Sequence, residues 1–401
     1  MNVPFFSPTI TEREIEAVAT CMRSGWLTTG PVTKDFEAEF AAYVGAKHAV
    51  ALNSCTAALH LALEALGVRR GDLVIVPTMT FAATAEVVRY FDATPVFVDC
   101  DPMTQNMDVA ALRRTLEILH DGQPLPGVPS EHGPVRAIIP MHFAGQMVDV
   151  DAIRDLADTY KLAVVEDAAH TLPAAFRSNE TSPWRRVGTT AQITCFSFYA
   201  NKCITTGEGG MAVTDDEALA ERMRLMSLHG MSKDAWKRFS SSGSWYYEII
   251  APGFKYNMTD IAAAVGRVQL ERADELLAAR RRVAETYGEA LGGLPGIELP
   301  QELPNRQHAW HLYPIKLDLN VWRSGRNAVI DQLKQRGIGA SVHWMPLHMQ
   351  PYYRETYRIP ADAFPVAASM WPRILTLPLY PTMTEQHVAA VVQALREIAA
   401  A

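Results

Sequence analysis

The chain contains no run of about 18 apolar residues, the length that a bilayer-spanning helix requires. Its first eight residues, Met1 to Pro8, have neither the positive start nor the apolar centre of a signal peptide, so the expected compartment is cytoplasmic, with no membrane partner. Cysteine is scarce. Cys21, Cys55, Cys100, Cys195 and Cys203 are odd in number and show no C-x-x-C spacing, which speaks against a disulfide framework and for reduced thiols. The twelve histidines show no metal-ligand spacing either, and no metal is expected. A formal charge of -7, without a basic tail or long charged runs, argues against nucleic acid or an anionic membrane as partner. No G-x-G-x-x-G follows the first strand pattern, which sets aside a nicotinamide-dependent oxidoreductase. Internal repeats and low-complexity tracts are missing as well.

What is present is ordinary globular material: 401 residues, 48% hydrophobic and 20% charged, enough for one large domain and a smaller companion. Apolar positions at helical spacing predict helices over residues 11–23, 57–66 and 150–160, the first behind a Ser7, Thr9 and Thr11 cap cluster. Short apolar runs at 73–76, 95–99, 137–140 and 163–166 predict buried strands. Helices alternating with such strands imply an α/β fold with a mainly parallel sheet covered on both faces. Residues 121–134 and 178–184 read as surface insertions, and 240–244 as a mobile loop. One long helix is expected from 259 to about 291. The Pro- and Gly-rich stretch 292–304 follows it, then a strand at 311–317 and helices at 327–336 and 384–399. The organisation inferred is an N-terminal segment with a substrate loop (1–30), a large domain (31–270), and a linking helix with a small α+β domain (271–401).

In an open α/β sheet, ligands gather beyond the carboxyl ends of the strands. Lys202 stands there, between the apolar Phe196-Ser-Phe and the glycine-rich Gly207-Glu-Gly-Gly210. A desolvated lysine has a lowered pKa and is a better nucleophile for Schiff-base chemistry, although a surface lysine at a strand end fits these few residues too. Asn53-Ser-Cys-Thr-Ala57 opens a helix, which suits either a phosphate seat or a plain N-cap. Asp167 ends a buried strand, where a carboxylate needs a cationic partner; a protonated pyridine nitrogen is one, with His170 placed to reach the ring's phenolic oxygen. An N-cap aspartate followed by a packed histidine is the other reading. Phe81 could stack on a planar ring or serve the core, and Ser197 could lend a hydroxyl to a phosphate.

The order of these features resembles the DegT/DnrJ/StrS family of nucleotide-sugar aminotransferases, nearly end to end. Ser24-Gly-Trp-Leu-Thr-Thr-Gly-Pro31, Ser54-Cys-Thr-Ala-Ala-Leu-His60, Val76-Pro-Thr-Met-Thr-Phe-Ala-Ala-Thr84 and Pro95-Val-Phe-Val-Asp99 carry the likeness in the first part of the chain. Glu166-Asp-Ala-Ala-His170, Phe196 to Lys202, Glu208-Gly-Gly210, Pro252 to Asp260 and Leu377-Pro-Leu-Tyr-Pro381 carry it in the rest. Cys55 stands where many relatives have glycine. The resemblance implies the aspartate aminotransferase fold (PLP-dependent transferase fold type I) and pyridoxal 5'-phosphate (PLP) as cofactor. It makes Lys202 the covalent anchor and catalytic base, Asp167 the partner of the pyridinium nitrogen, His170 that of the phenolic oxygen, and Phe81 the stacking ring. Thr56, Ala57 and Ser197 would hold the phosphate with Asn257 of the partner subunit, implying a homodimer with shared active sites.

Glutamate is the implied donor and a keto sugar nucleotide the acceptor. Lysine at 202, where sugar C-3 dehydratases of the family replace it with histidine, favours transamination. Trp26 and Thr29 fall in the family's substrate loop, and His311 and His343 are candidate cleft residues. Gly253-Phe-Lys-Tyr-Asn257, His308-Ala-Trp-His-Leu312 and Gly337-Ile-Gly339 followed by His343 look most like enzymes that aminate C-4 of UDP-sugars, including the UDP-4-amino-4-deoxy-L-arabinose type that serves lipid A. The alternatives are amination at C-3 and, in a different class, a PLP-binding regulatory protein without turnover.

Overall fold

The strand pattern at residues 73–76 and 95–99 alternates between two buried faces, and this sets the architecture. Leu73, Ile75, Val96 and Val98 belong to one hydrophobic core, while Val74, Val76 and Phe97 belong to another on the opposite side of the same sheet. The computed structural model describes residues 1–232 and 246–400, so the loop expected at 240–244 lies outside the described residues.

Helices α1 (Glu12–Ser24) and α2 (Pro31–Val44) lead into β1 (His48–Leu52) and α3 (Cys55–Ala65). The chain then alternates β2 (Leu73–Pro77), α4 (Ala82–Arg89), β3 (Thr94–Val98), α5 (Val109–His120), β4 (Val135–Ile138), α6 (Val150–Tyr160) and β5 (Ala163–Asp167). Next come β6 (Ala175–Phe176), β7 (Arg185–Arg186), β8 (Ile193–Ser197), β9 (Gly210–Thr214), α7 (Glu217–Met226), α8 (Asp260–Glu271) and α9 (Ala273–Leu291). The last part holds β10 (Ile297–Glu298), β11 (Arg306–Gln307), β12 (Tyr313–Leu317), α10 (Gly325–Gln335), α11 (Pro351–Tyr357), α12 (Pro365–Met370), β13 (Ile374–Leu377) and α13 (Glu385–Ala400).

The main sheet runs in the order β1-β9-β8-β5-β4-β2-β3. It is parallel from β3 to β8 and antiparallel where β9 pairs with β8 and β1, a mainly parallel mixed sheet flanked by helices. A third core gathers Ile315, Leu317, Leu375 and Leu377 of a small antiparallel sheet with Tyr287, Leu333 and Leu395 from α9, α10 and α13; Val3 from the N-terminus joins it.

The single helix expected from 259 to 291 is instead two, broken at Arg272 (φ -99°, ψ 2°). The buried guanidinium of Arg272 meets the buried Glu14 carboxylate at 2.7 Å, and Glu14 also accepts from Gln269 Nε2 (2.7 Å) and Thr11 N (2.8 Å). This buried knot fixes α1 against the junction. With no proline or glycine at the break, only a contact across more than 250 residues marks it.

Candidate active site

A candidate cradle for a phosphate forms where three strands converge. Gly210 is paired with Ser197 on one side and Leu52 on the other, and it lies directly against the start of α3. A Cβ at 210 would fall 2.3 Å from the Ser54 carbonyl carbon and 2.5 Å from the Cys55 nitrogen, so only glycine permits this approach. Ser54 caps the helix, its hydroxyl accepting from Ala57 N at 3.0 Å. Among the described residues, the N–H groups of Cys55 and Thr56 are then left without a protein acceptor, at the positive end of the helix dipole. Both sequence readings of this segment therefore coexist: the N-cap occupies Ala57 N, and two amides stay free. Cys55 does not crowd them, because its thiol turns toward the Cys195 carbonyl at 3.6 Å. Gly210→Ala is expected to lower affinity for PLP at least tenfold and to cost about 1–3 kcal/mol of stability. Equilibrium dialysis and urea unfolding would check both; unchanged affinity would remove Gly210 from the cradle.

Beyond β8 the chain turns so that Lys202 N donates to Tyr199 O (2.9 Å), while Ser197 Oγ accepts from Tyr199 N (3.3 Å). Lys202 is half-buried, its ammonium has no hydrogen bond among the described residues, and burial lowers its pKa against the opposing pull of Asp167. Burial first, and the Lys202 charge after it, depress His170, His311 and His343.

Asp167, 3% exposed, ends β5 on the same edge. It accepts from Ala169 N (3.1 Å) and from Thr84 Oγ1 (2.7 Å), and Thr84 is in turn 2.6 Å from Thr80 Oγ1. Since the Thr84 proton points to the carboxylate, Thr80 donates to Thr84. Burial raises the Asp167 pKa, and no ion pair compensates it among the described residues. A cation brought by a ligand would supply what is missing. Phe81, 57% exposed, is the N-cap residue of α4, the helix whose Thr84 bonds this carboxylate.

His170 and His311 are both buried, with ring centroids 4.3 Å apart, and each keeps an Nδ1 without a partner. Burial holds both well below the ordinary histidine pKa, so they are neutral polar groups. Trp344, to which the sequence pattern assigns no role, lies 5.2 Å from His170 and 6.3 Å from Phe81. Its neighbour His343 stacks on Phe5 at 5.7 Å and bonds Thr376 Oγ1 (2.9 Å); burial takes its pKa to about 3.

Trp26, Thr29 and Asn257 are joined to one another instead. Trp26 Nε1 donates to Thr29 O (3.1 Å), Asn257 Nδ2 donates to Thr29 Oγ1 (2.7 Å), and that hydroxyl donates to Met258 O. Asp260 fixes the turn by accepting from Gly30 N (2.7 Å) and Thr33 N (2.9 Å). This group borders the cradle through Asn257, which bridges Leu52, and through the bond from Asn53 N to Tyr256 O (2.7 Å).

Two further histidines away from this cluster give a pH prediction. Burial lowers His60 to about 4 and His308 to about 3, against about 6.5 in an unfolded chain. The unfolded chain takes up protons first, so stability is full above pH 6.5 and falls by roughly 1.4 kcal/mol per pH unit for each histidine as pH drops toward those values. Urea midpoints between pH 7 and 5 should show this slope, and His308→Gln should reduce it.

The residues present fit PLP: free helix-terminal amides with Ser197 for the phosphate, a buried carboxylate lacking a cation, an unpartnered His170 nitrogen, and an unpaired lysine. Comparisons with known proteins agree. Residues 8–396 match the model of the DegT/DnrJ/EryC1/StrS aminotransferase family. The chain is 44% identical over 397 residues to the spore coat polysaccharide biosynthesis protein SpsC of Bacillus subtilis, covering 99% of this chain and 97% of that one. Its structure resembles the putative sugar aminotransferase Spr1654 of Streptococcus pneumoniae, solved in PMP and PLP forms (TM-score 0.87 for each), with 31% identity to the PMP form over 100% of this chain and 98% of that one. It also resembles Helicobacter pylori PseC, an aminotransferase involved in the biosynthesis of pseudoaminic acid (TM-score 0.86, 26% identity, 99% of each chain).

Proposed function

Because the chain belongs to the DegT/DnrJ/EryC1/StrS aminotransferase family, we propose that it transfers an amino group from glutamate to the C-4 keto group of a UDP-sugar in the cytoplasm. The protein is a sugar aminotransferase of this family, and its cofactor is PLP. The observation that carries the reading is the half-buried Lys202, whose ammonium has no hydrogen bond among the described residues and whose pKa is lowered by burial against the pull of the buried Asp167, with the free amides of Cys55 and Thr56 at the start of α3. When bound, the cofactor supplies the electron sink that makes a proton next to the transferred nitrogen removable. Lys202 Nζ, its pKa lowered by burial, takes that proton and returns it on the other side of the exchange. Asp167 would hold the cofactor through its ring nitrogen, and the neutral His170 would offer it a hydrogen bond without adding charge. Phe81 would stack on the cofactor.

The C-4 reading is supported by the likeness of the segments 253–257, 308–312 and 337–343 to UDP-sugar enzymes of the aminoarabinose type. In this reading residues 31–270 bind the cofactor and 271–401 form the smaller domain. A homodimer would bring Asn257 of the partner subunit to the phosphate. The exposed Ile249 and Ile250 support such an apolar contact. Incubation with PLP, glutamate and a panel of 3-keto and 4-keto sugar nucleotides, with the new amine located by NMR, tests the proposal. Amination only at C-3 overturns the position, and formation of 2-oxoglutarate with none of them overturns the activity.

A further inference from the structure

Trp344 belongs to a stretch that is tied down on both sides of it. Before it, Ser341 exchanges two backbone hydrogen bonds with Thr376 of β13 (3.1 and 2.8 Å), and His343 Nδ1 lies 2.9 Å from Thr376 Oγ1. After it, Leu347 N donates to the carbonyl of Thr78 (2.8 Å), the residue just past β2, and His348 Nε2 stands 3.0 Å from the Ala361 carbonyl. A carbonyl only accepts, so Nε2 carries the ring hydrogen and His348 Nδ1 accepts from Thr78 Oγ1 at 2.6 Å. The indole therefore spans from the small antiparallel sheet to the main sheet. It meets the main sheet at the strand end that leads on to Phe81 and Thr84.

The contacts of the indole are aromatic. Its centroid lies 5.2 Å from His170, 5.6 Å from Phe143 and 6.3 Å from Phe81. A tryptophan that serves a core is buried with its N–H paired, as Trp322 is here: it is 3% exposed, and its Nε1 donates to Pro295 O at 3.1 Å. Trp344 is only half-buried. Its Nε1–H has no acceptor among the described residues and, unlike that of Trp310, is not sealed from solvent. A large apolar face and one free donor, held rigidly beside the candidate cofactor residues, form a surface for a ligand with both a C–H face and oxygens.

We propose that Trp344 is a specificity-determining residue for the amino acceptor: its indole packs against the C–H face of the sugar ring, and its Nε1–H donates to an oxygen of that sugar. This rests on the sugar aminotransferase reading given above. His170 and Phe81 place the indole at the reacting end of the acceptor, whereas the nucleoside base, separated from the sugar by a diphosphate, lies farther out. Glutamate has two carboxylates and no ring face, so it gains little from this wall.

The two halves of the exchange can be followed separately, because the visible absorbance of the cofactor is lost when glutamate donates and returns when a keto sugar nucleotide accepts. Rapid mixing of both halves is carried out on PLP-loaded wild type, Trp344→Phe and Trp344→Ala, with whichever of the 3-keto and 4-keto UDP-sugars the wild type accepts. Trp344→Ala is expected to raise the acceptor concentration for half-maximal rate at least about tenfold, as for a truncated aromatic anchor, and to leave the glutamate half within about twofold. Trp344→Phe keeps a ring face but loses the donor, and about threefold is expected for the acceptor. Equal losses in both halves mean that the indole only supports the shape of the site, and they overturn the inference, as does an unchanged acceptor half in Trp344→Ala. Should Trp344→Ala not fold, Trp344→Phe and Thr78→Val, which leaves the indole but loosens its tether, carry the test; no acceptor-selective change in either overturns the inference. Failure of the wild type to aminate any keto sugar nucleotide overturns the proposed activity and this inference together.

Discussion

Lys202→Ala is expected to abolish amino transfer, by at least about 10⁴-fold, and to abolish covalent capture of the cofactor. Positioned proton transfer alone contributes roughly 10²- to 10⁴-fold, and loss of the anchoring amine adds to it. Nothing in the packing gives this side chain a structural role, since its ammonium makes no hydrogen bond among the described residues, and burial already favours the neutral amine that the proton transfer needs. Lys202→Arg separates charge from basicity, because a guanidinium keeps the cation but does not deprotonate; it should be as inactive as the alanine variant. Borohydride treatment of the wild type followed by peptide mass analysis should find the cofactor on Lys202. Labelling at another lysine, or more than about one per cent residual turnover in Lys202→Ala, would sink the assignment.

The strands that position this lysine were legible because they are short apolar runs buried on both faces, and β2 and β5 fall within one or two residues of their expected limits. Lys202, Asp167, Ser197 and the start of α3 could be singled out because ligands collect at strand ends and each stands just past one. What the sequence did not reveal depends on pairing across long distances. The break at Arg272 comes from Glu14, and the support of Asp167 comes from Thr84, 83 positions away, which ends the family-like segment 76–84 without a role of its own. Trp344 reaches His170 from a loop after α10, with no local pattern to announce it.

Asp167→Asn should reduce turnover by about 10²- to 10³-fold, the usual cost of removing one preorganised electrostatic contact from a reaction centre. The substitution is nearly isosteric, and its carbonyl oxygen can still accept from Thr84, so stability and PLP affinity should change far less than kcat. Thr84→Val, which removes the 2.7 Å bond but leaves the carboxylate, is expected to act in the same direction by about tenfold. A competing role exists for Asp167, since its charge also raises the pKa of Lys202. The two roles differ in which group loses its support. If Asp167 served mainly to hold Lys202 charged, Asp167→Asn would lower the lysine pKa further and leave the protonation of the ring nitrogen unchanged. If it serves the ring nitrogen, the pH at which that nitrogen loses its proton should fall in Asp167→Asn and be largely kept in Asp167→Glu, because the carboxylate is what favours the charged ring. Following PLP labelled with nitrogen-15 in the ring by NMR from pH 6 to 9 in wild type, Asp167→Asn and Asp167→Glu decides between them, and an unchanged ring titration in Asp167→Asn would assign the carboxylate to the lysine.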